Sequence, residues 1–183
     1  MPNWCYNSVS ISHEDPAMIA KLVAGGNEGK LFDTFVTMPA ELRETTSPSP
    51  TNDELVEKYG ASDWYSWALN NWGTKWDVEF EDAEIEEGGK SMSGYFQTAW
   101  SPPIEFYDRL VDLGFSVDAT YTEEGMGFAG HYVDGEDESI DLDFDKGSEA
   151  WINKIEDDIL RDTVMSEYES WLQWQEDEEE DAA

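Results

Sequence analysis

Alternating hydrophobic and polar positions predict six strands. Residues 3–12 place Trp4, Tyr6, Ser8 and Ser10 on one face and Cys5, Asn7, Val9 and Ile11 on the other. The same alternation predicts strands at about 75–86, 91–100, 115–122, 127–133 and 139–144. Gly88 and Gly89 predict a hairpin between the second and third strands, and the acidic residues 134–138 predict a turn between the last two.

Helical periodicity and capping residues predict the helices. Asp15 and Pro16 are typical of a helix start, and Gly25 is predicted to end that helix. Two short helices are expected near 53–59 and 64–71, and Ser101 is predicted to cap another that Gly114 ends. A last, long helix is predicted from Ser148 to about residue 174, and its apolar stripe contains Trp151, Ile152, Ile155, Ile159, Val164, Tyr168, Trp171 and Leu172.

The order of these elements indicates an α+β fold. Without a helical insertion at about 26–73, it matches a ferredoxin-like split β-α-β with an antiparallel sheet and a long C-terminal helix. We therefore predict a ferredoxin-like domain at 1–147, an amphipathic helix at 148–174 and an acidic tail at 175–183.

Charge changes this picture more than any motif does. The chain has 43 Asp and Glu against 10 Lys and Arg, a formal net charge of -33. Its 9 Trp, 8 Tyr and 8 Phe indicate a folded core under an acidic surface rather than a disordered polymer. Direct nucleic-acid binding is disfavoured because phosphate contacts need basic side chains, and anionic membranes should repel the chain.

The acidic residues cluster in three runs and a tail, and we predict that the first two runs bind a basic partner while the third lies on the long helix. Carboxylates two residues apart on a strand are separated by about 6–7 Å, which is similar to the spacing of neighbouring phosphates along one DNA strand. The first run comprises Asp77, Glu79, Glu81, Asp82, Glu84, Glu86 and Glu87, and the second comprises Asp134, Glu136, Asp137, Glu138, Asp141, Asp143 and Asp145. The predicted long helix carries more large apolar residues near its end than one apolar stripe requires. These residues, which we predict as a candidate homodimer interface, are Trp171, Leu172 and Trp174.

No pattern indicates catalysis, a cofactor or a metal. Residues 141–147 begin like a calcium loop, but Lys146 replaces the turn glycine and Ile152 the final glutamate, so an amphipathic strand is the favoured interpretation. His13 and His131 lack zinc-ligand spacing, and Cys5 is predicted to be a small buried residue. We expect a protein that is not an enzyme.

Three Trp-containing segments resemble one family. They are Met1-Pro2-Asn3-Trp4-Cys5-Tyr6-Asn7, Asn71-Trp72-Gly73-Thr74-Lys75-Trp76-Asp77 and Thr98-Ala99-Trp100-Ser101-Pro102-Pro103. In this order they resemble the YubB-type ferredoxin-like proteins of bacteriophages and conjugative plasmids, over roughly residues 1–133. The resemblance implies the fold and a mobile-element origin, but no reaction. Trp72, Trp76 and Trp100 are interpreted as core and turn-fixing residues rather than as ligand-binding residues.

Three functions remain open at this stage. The favoured one is a phage or plasmid inhibitor in the host cytoplasm, which acts like a DNA mimic by occupying the basic surface of a nucleic-acid-binding defence or recombination protein. The second is a shape-specific, homo-oligomeric regulatory or structural protein. The third is a protein whose acidity is an adaptation to a salty environment. A metal-dependent enzyme is a residual alternative for which the sequence shows no site.

Overall fold

The structure, a computed structural model, describes residues 2–144 and 149–181. The strands are β1 (Trp4–Ser12), β2 (Asp82–Ile85), β3 (Ser91–Ala99), β4 (Ser116–Glu123), β5 (Phe128–Val133) and β6 (Glu136–Asp141). The helices are α1 (Pro16–Asn27), α2 (Ala40–Arg43), α3 (Asp53–Tyr59), α4 (Trp64–Trp72), α5 (Ile104–Asp112), α6 (Glu149–Ile152) and α7 (Asp158–Asp181).

The six strands form one antiparallel sheet in the order β2-β3-β1-β4-β5-β6. The first four have the strand order of a ferredoxin-like split β-α-β, because β3 lies between β1 and β2 and β1 lies between β3 and β4. The predicted α+β fold is therefore confirmed. Strands β5 and β6 extend it beyond β4 as a meander, which leaves β2 and β6 as the two edges.

The main core lies between one face of the sheet and helices α1, α4 and α5. Cys5, Asn7, Val9 and Ile11 of β1 point into this layer, as predicted from their alternation. The helical insertion contributes to the same core through Leu31, Phe32, Met38, Leu42, Trp67, Ala68 and Trp72. The insertion is therefore a packed layer of the domain rather than a peripheral loop.

Helices α6 and α7 cover part of the opposite face. Ala129 of β5 packs there with Ile152, Leu160 and Val164, all of which are fully buried. Over β1 and β3 the same face stays open, and Ser8, Ser10 and Ser93 are exposed. The helix-facing side of the sheet is thus covered except over β6, where Asp137 and Ser139 are exposed, and the other side is covered only beside β4 and β5.

The first helix extends beyond its predicted end. Asp15 caps it by accepting from the Ala17 N–H at 2.9 Å, as expected, but α1 continues through Gly25 and Gly26 to Asn27. A Cβ at Gly25 would lie 2.0 Å from Thr34, and one at Gly26 would lie 2.2 Å from Phe80. These glycines permit close packing against the helix and do not end it.

The predicted strand at 75–86 is wrong over its first half, since β2 covers only Asp82–Ile85. The Phe80 N–H donates to Gly26 of α1 and the Leu31 N–H donates to Val78, so residues 78–80 bond to α1 and the insertion, and bonding to β3 begins only at Glu81. The hairpin at Gly88 and Gly89 is confirmed by the pairing of β2 with β3.

The turn between the last two strands is shorter than predicted. It consists of Asp134 and Gly135, both with positive φ (48° and 102°), while residues 136–138 belong to β6. An Asp-Gly pair is the strongest short-range signal for a two-residue hairpin, because both positions must adopt positive φ. This signal in the sequence was hidden by the run of acidic residues that follows it.

The predicted long C-terminal helix is broken, and it also ends later than expected. Helix α6 ends at Ile152, and α7 begins at Asp158 and continues to Asp181, through most of the predicted acidic tail. The break changes the phase of the apolar stripe, so Leu160 is fully buried whereas Ile159 is 47% exposed. The predicted boundary at 147/148 lies outside the described residues.

The predicted cap of α5 is also wrong. Pro103 stands at the N-cap position without a side-chain hydrogen bond, and the Ser101 hydroxyl donates to the Gly73 carbonyl oxygen at 2.7 Å. Ser101 therefore links the end of α4 to the chain that leads into α5, instead of capping the helix.

Candidate functional site

The two acidic runs lie on opposite edges of the sheet. Asp82 and Glu84 belong to the edge strand β2, and Glu136, Glu138 and Asp141 belong to the edge strand β6. Five inter-strand spacings separate these edges, which corresponds to about 24 Å across the sheet. The runs therefore form two separate acidic surfaces rather than one.

Most carboxylates of these runs are exposed and have no intramolecular partner. Neither a hydrogen bond nor an ion pair to their side chains occurs among the residues that the structure describes. We call them the acidic edges: Glu79, Glu81, Asp82, Glu84 and Glu87 form the β2 edge, and Glu136, Glu138 and Asp141 form the β6 edge. Acidic side chains on edge strands also discourage pairing with another chain.

Other members of the predicted set hold the fold together. Asp77 accepts from the backbone N–H groups of Phe32 (2.8 Å) and Asp33 (2.9 Å), so its assignment to a partner-binding face is corrected to a structural role. Burial raises the pKa of Asp77, although these hydrogen bonds oppose the change. Asp134 accepts from the Val117 N–H and the Ser116 hydroxyl, and thereby connects the β5–β6 turn to β4.

Four further predicted residues are not counted among the edge carboxylates. Asp137 accepts from the Tyr121 hydroxyl at 2.8 Å, and burial raises the pKa of Asp137. Glu86 accepts from the Ser91 hydroxyl at 2.7 Å. Asp143 is exposed beside α7, and Asp145 lies outside the described residues.

The basic side chains leave the acidic edges unneutralised. Within the described ranges, Lys and Arg form ion pairs with Glu14, Glu28, Asp33, Glu41, Asp112 and Asp158. None of these carboxylates belongs to either edge. The negative charge of both edges is therefore not balanced by these ion pairs, and the ten basic residues are spread along the whole chain.

The candidate dimer residues near the end of α7 are not equivalent. Trp171 stacks on Tyr168 with the ring centroids 5.9 Å apart, and it also contacts Phe144. Leu172 is 38% exposed and Trp174 is 54% exposed. Trp171 thus anchors α7 to the chain that follows β6, while the other two remain candidates for an interface.

The Trp-containing segments meet at one end of the sheet. The Trp100 N–H donates to Asn3, and the Thr74 hydroxyl donates to Ala99. Trp72 is buried, as expected, but Trp76 and Trp100 are each 40% exposed and stack with centroids 6.4 Å apart. The interpretation of these two as core residues is therefore only partly correct.

A lysine completes this exposed aromatic cluster. Lys75 Nζ lies 4.2 Å from the Trp76 ring centroid and 4.8 Å from that of Trp100. These are cation–π distances, so Lys75 contacts aromatic rings rather than an acidic side chain. Trp100 has φ of 69°, a left-handed conformation that costs energy in a residue with a side chain and commonly occurs at functional sites.

A buried asparagine connects the first and third Trp-containing segments to α5. Asn7 Nδ2 donates to the Cys5 carbonyl oxygen at 2.9 Å and to Thr98 Oγ1 at 3.0 Å, and Asn7 Oδ1 accepts from the Tyr107 hydroxyl at 3.2 Å. All four residues are fully buried. Removing this amide would leave the buried Tyr107 hydroxyl without its acceptor, whereas the Thr98 hydroxyl also donates to the Ser101 carbonyl oxygen.

We expect Asn7→Leu to lower the free energy of unfolding by about 2 kcal/mol, since it leaves the Tyr107 hydroxyl buried without an acceptor. Urea unfolding measures the loss. Adding Tyr107→Phe removes the stranded hydroxyl, so the double variant should recover part of the stability. A double variant no more stable than Asn7→Leu alone would contradict this explanation.

A groove on the open face of the sheet has no counterpart in the sequence analysis. Tyr6 of β1 and Tyr95 of β3 stack at its floor, with ring centroids 6.4 Å apart and planes inclined by 17°. Thr163 and Glu167 of α7 form a wall, and the groove has a volume of about 370 Å³. Sequence spacing could not reveal it, because its residues come from four separate elements.

Cys5 and His131, which the sequence analysis also considered as candidate residues, are buried and contribute to the fold. Cys5 is buried, and this burial raises its pKa to about 12, which keeps the thiol protonated. His131 is 5% exposed and bridges Asp157 and Asp118, at 2.7 Å and 3.0 Å. The described residues contain no group of three or more His, Cys, Asp or Glu side chains that could hold a metal ion.

None of the helices in the described part of the chain combines the length and the apolar character needed to cross a membrane.

Comparison with known proteins assigns neither a family nor a function to this chain. No protein-family model and no curated protein matches the chain. A similar solved structure is that of the protein api92 from Yersinia pseudotuberculosis, which is assigned to the family DUF1281. The two chains are 10% identical, with a TM-score of 0.41 over 78% of this chain and 99% of api92. The resemblance to YubB-type proteins stays a prediction.

Proposed function

We propose that the protein is a non-catalytic accessory protein of a phage or plasmid, which antagonises a host defence or recombination protein by binding its basic, DNA-facing surface. The observation that carries this proposal is the absence of any basic partner for the carboxylates of the acidic edges within the described residues. These charges repel one another in the free protein, and a basic surface would relieve that repulsion.

Edge strands suit this role for a geometric reason. Alternate side chains of a strand project to the same side at a spacing of about 6.6 Å, and the ladder to the neighbouring strand fixes their positions. Backbone pairing between Glu84 and Ser93 holds the β2 edge, and pairing between Glu138 and His131 holds the β6 edge. A fixed row of negative charges can compete with the phosphates of DNA for a basic groove.

The proposal makes inhibition stoichiometric and salt-sensitive. Electrostatic steering accelerates association of oppositely charged surfaces, and this acceleration falls steeply as ionic strength increases. A partner that binds by this mechanism must bind DNA or the inhibitor, but not both. Competition with DNA therefore distinguishes the proposed mechanism from binding at another surface of the same partner.

The first experiment is capture of host proteins on the immobilised protein, with elution by salt and mass spectrometry of the eluate. We expect a nucleic-acid-binding protein whose purified form releases its DNA when the inhibitor is added. A purified partner that keeps its DNA while bound would overturn the proposal. Binding that survives high salt would instead favour shape-specific recognition.

A homo-oligomeric regulatory or structural protein is the second candidate. It is supported by the exposure of Leu172 and Trp174 on α7. Light scattering after gel filtration measures the mass in solution. A dimer that Trp174→Glu converts to a monomer would support this candidate, and a monomeric wild type would exclude it.

Adaptation to salt is the third candidate, and it rests on the net charge of -33 alone. Screening of repulsion should then be a requirement for folding, so the protein would unfold in dilute buffer. Circular dichroism across a salt series separates this candidate from the proposed inhibitor, which should be folded at low salt.

A further inference from the structure

The groove between the open sheet face and α7 combines aromatic faces with carboxylates. The stacked rings of Tyr6 and Tyr95 provide π surfaces, and Glu167 and Glu124 line the same space. The hydroxyl groups of Thr120 and Thr163 add hydrogen-bond acceptors. Among the residues that the structure describes, no basic side chain lines the groove.

Its two carboxylates are close enough to affect each other. Burial and then the negative charge of Glu124 raise the pKa of Glu167, although a hydrogen bond with Thr122 opposes these effects. Two carboxylates in a partly desolvated space are unfavourable unless a cation joins them. The groove therefore has an electrostatic preference for a positively charged ligand.

The groove also adjoins the β2 edge. Tyr95 lies opposite Asp82 in the β2–β3 ladder, and the backbone N–H of Glu81 donates to the Tyr95 carbonyl oxygen at 2.9 Å. Burial, followed by the charge of Glu81, raises the pKa of the Tyr95 hydroxyl. A basic partner on the β2 edge would thus place neighbouring side chains within reach of the groove.

We infer that this groove binds an arginine side chain of the basic partner, an inference that rests on the proposed function and names one contact within it. The planar guanidinium can lie over the face of Tyr6 or Tyr95 while its N–H groups donate to the Glu167 carboxylate. Arginine suits both contacts better than lysine does, because its planar fork stacks on rings and forms paired hydrogen bonds with a carboxylate.

Nona-arginine and nona-lysine provide a test, because they carry equal positive charge. Fluorescence anisotropy of labelled peptides measures their affinities for the full-length protein at low and high salt. We expect nona-arginine to bind about tenfold more tightly than nona-lysine, and this preference should persist at higher salt.

Two variants test whether the groove residues cause the preference for arginine over lysine. Tyr95→Leu retains apolar surface without the π face, and Glu167→Gln retains much of the shape without the charge. Each should reduce the preference for arginine to about twofold. Glu136→Gln is the control on the distant β6 edge, and it should leave the preference unchanged while weakening both peptides slightly.

The outcomes separate this inference from the proposed function. Equal binding of both peptides, or an arginine preference that both groove variants retain, would contradict the binding of arginine in the groove. Neither result would contradict the proposed role of the acidic edges. Failure of both peptides to bind would contradict the groove and the proposed function together. If a variant unfolds, titration of the wild type with nona-arginine must shift the methyl NMR signals of Thr120 and Thr163, and unshifted signals would overturn the inference.

Discussion

Charge reversal of the β2 edge, by Glu79→Lys, Glu81→Lys and Glu84→Lys together, is expected to weaken binding to the basic partner about 100-fold. Each reversal replaces an attraction by a repulsion. At a separation near 8 Å in a water-like medium, one such charge interaction is worth about 0.5 kcal/mol, so each change from attraction to repulsion costs about 1 kcal/mol. Three positions therefore account for about 3 kcal/mol, or about two orders of magnitude in affinity.

Deletion of residues 175–183 provides a control of equal charge. Three reversals change the net charge by six, as does removal of the six acidic residues 176–181, so both variants carry -27 instead of -33. We expect the deletion to weaken binding less, because the β2 edge is held by its ladder to β3 whereas the deleted residues lie at the end of a helix.

Reversal of Glu136, Glu138 and Asp141 makes the same change at the β6 edge. Titration calorimetry with the identified partner compares the three variants at one salt concentration. Equal losses in all three would show that only net charge matters, which would contradict recognition by a fixed acidic edge. A larger loss at the β6 edge would assign the contact to that surface instead.

Replacement of His131 by leucine is expected to lower the free energy of unfolding by about 3 kcal/mol. His131 Nδ1 donates to Asp157 Oδ2, and its Nε2 donates to Asp118 Oδ1. Without the imidazolium the two carboxylates lose their shared cation, and breaking a buried pair of this kind typically costs about 3–5 kcal/mol. The lower end applies here because Asp118 is 48% exposed.

The bridge also holds the start of α7. Asp157 Oδ1 accepts from the Leu160 N–H at 2.7 Å, so one carboxylate caps the helix and binds the histidine of β5. Asp157→Asn is the matched control, because it can keep the cap while removing the charge. Hydrogen exchange across residues 158–166 should accelerate in His131→Leu, and unchanged exchange would contradict the proposed bridge.

The contribution of His131 to stability should depend on pH. Burial lowers its pKa, but the hydrogen bonds with Asp157 and Asp118 outweigh burial and raise the pKa above its ordinary value. A raised pKa in the folded state gives stability that is complete below the unfolded pKa of about 6.5 and is lost as pH rises through the folded value.

Asp157 sets the acidic limit of this pH range. Burial raises the pKa of Asp157, but the hydrogen bonds from the Leu160 N–H and from His131 lower that pKa by a larger amount. The pKa of Asp157 therefore lies below its usual value. Its contribution is present above the unfolded pKa of about 3.9 and is lost as pH falls through the folded value. Glu138, opposite His131 in the β5–β6 ladder, is the other acidic neighbour.

Urea unfolding of wild type and His131→Leu should therefore differ most near about pH 5–6 and converge toward about pH 9. Self-repulsion of the acidic surface also changes with pH, but it affects both proteins alike, so their difference isolates the bridge. A difference that stays constant from pH 5 to about pH 9 would show that protonation of His131 is irrelevant to stability.

The site is divided between features that sequence can and cannot predict. The acidic runs were evident because charge is a property of composition. Alternation correctly placed Asp82 and Glu84 on a strand, whereas Glu136 and Glu138 were predicted to lie in a turn. Their location on opposite edges was not predictable, because strand order depends on how β1 and β3 pair over long sequence separations. The same limit applies to Asp77, whose capping partners Phe32 and Asp33 lie more than forty residues away.

Sequence alone determined the periodic elements, the ferredoxin-like order and the excess of negative charge. These follow from local alternation, capping residues and composition, each of which acts over a few neighbouring residues or the whole chain. Only the tertiary structure decided that the insertion joins the core and that Asp157 caps a separate helix, α7. It also decided that Tyr6 and Tyr95 form a groove with Glu167. These features depend on contacts between distant segments, whose energy exists only once the sheet has brought them together.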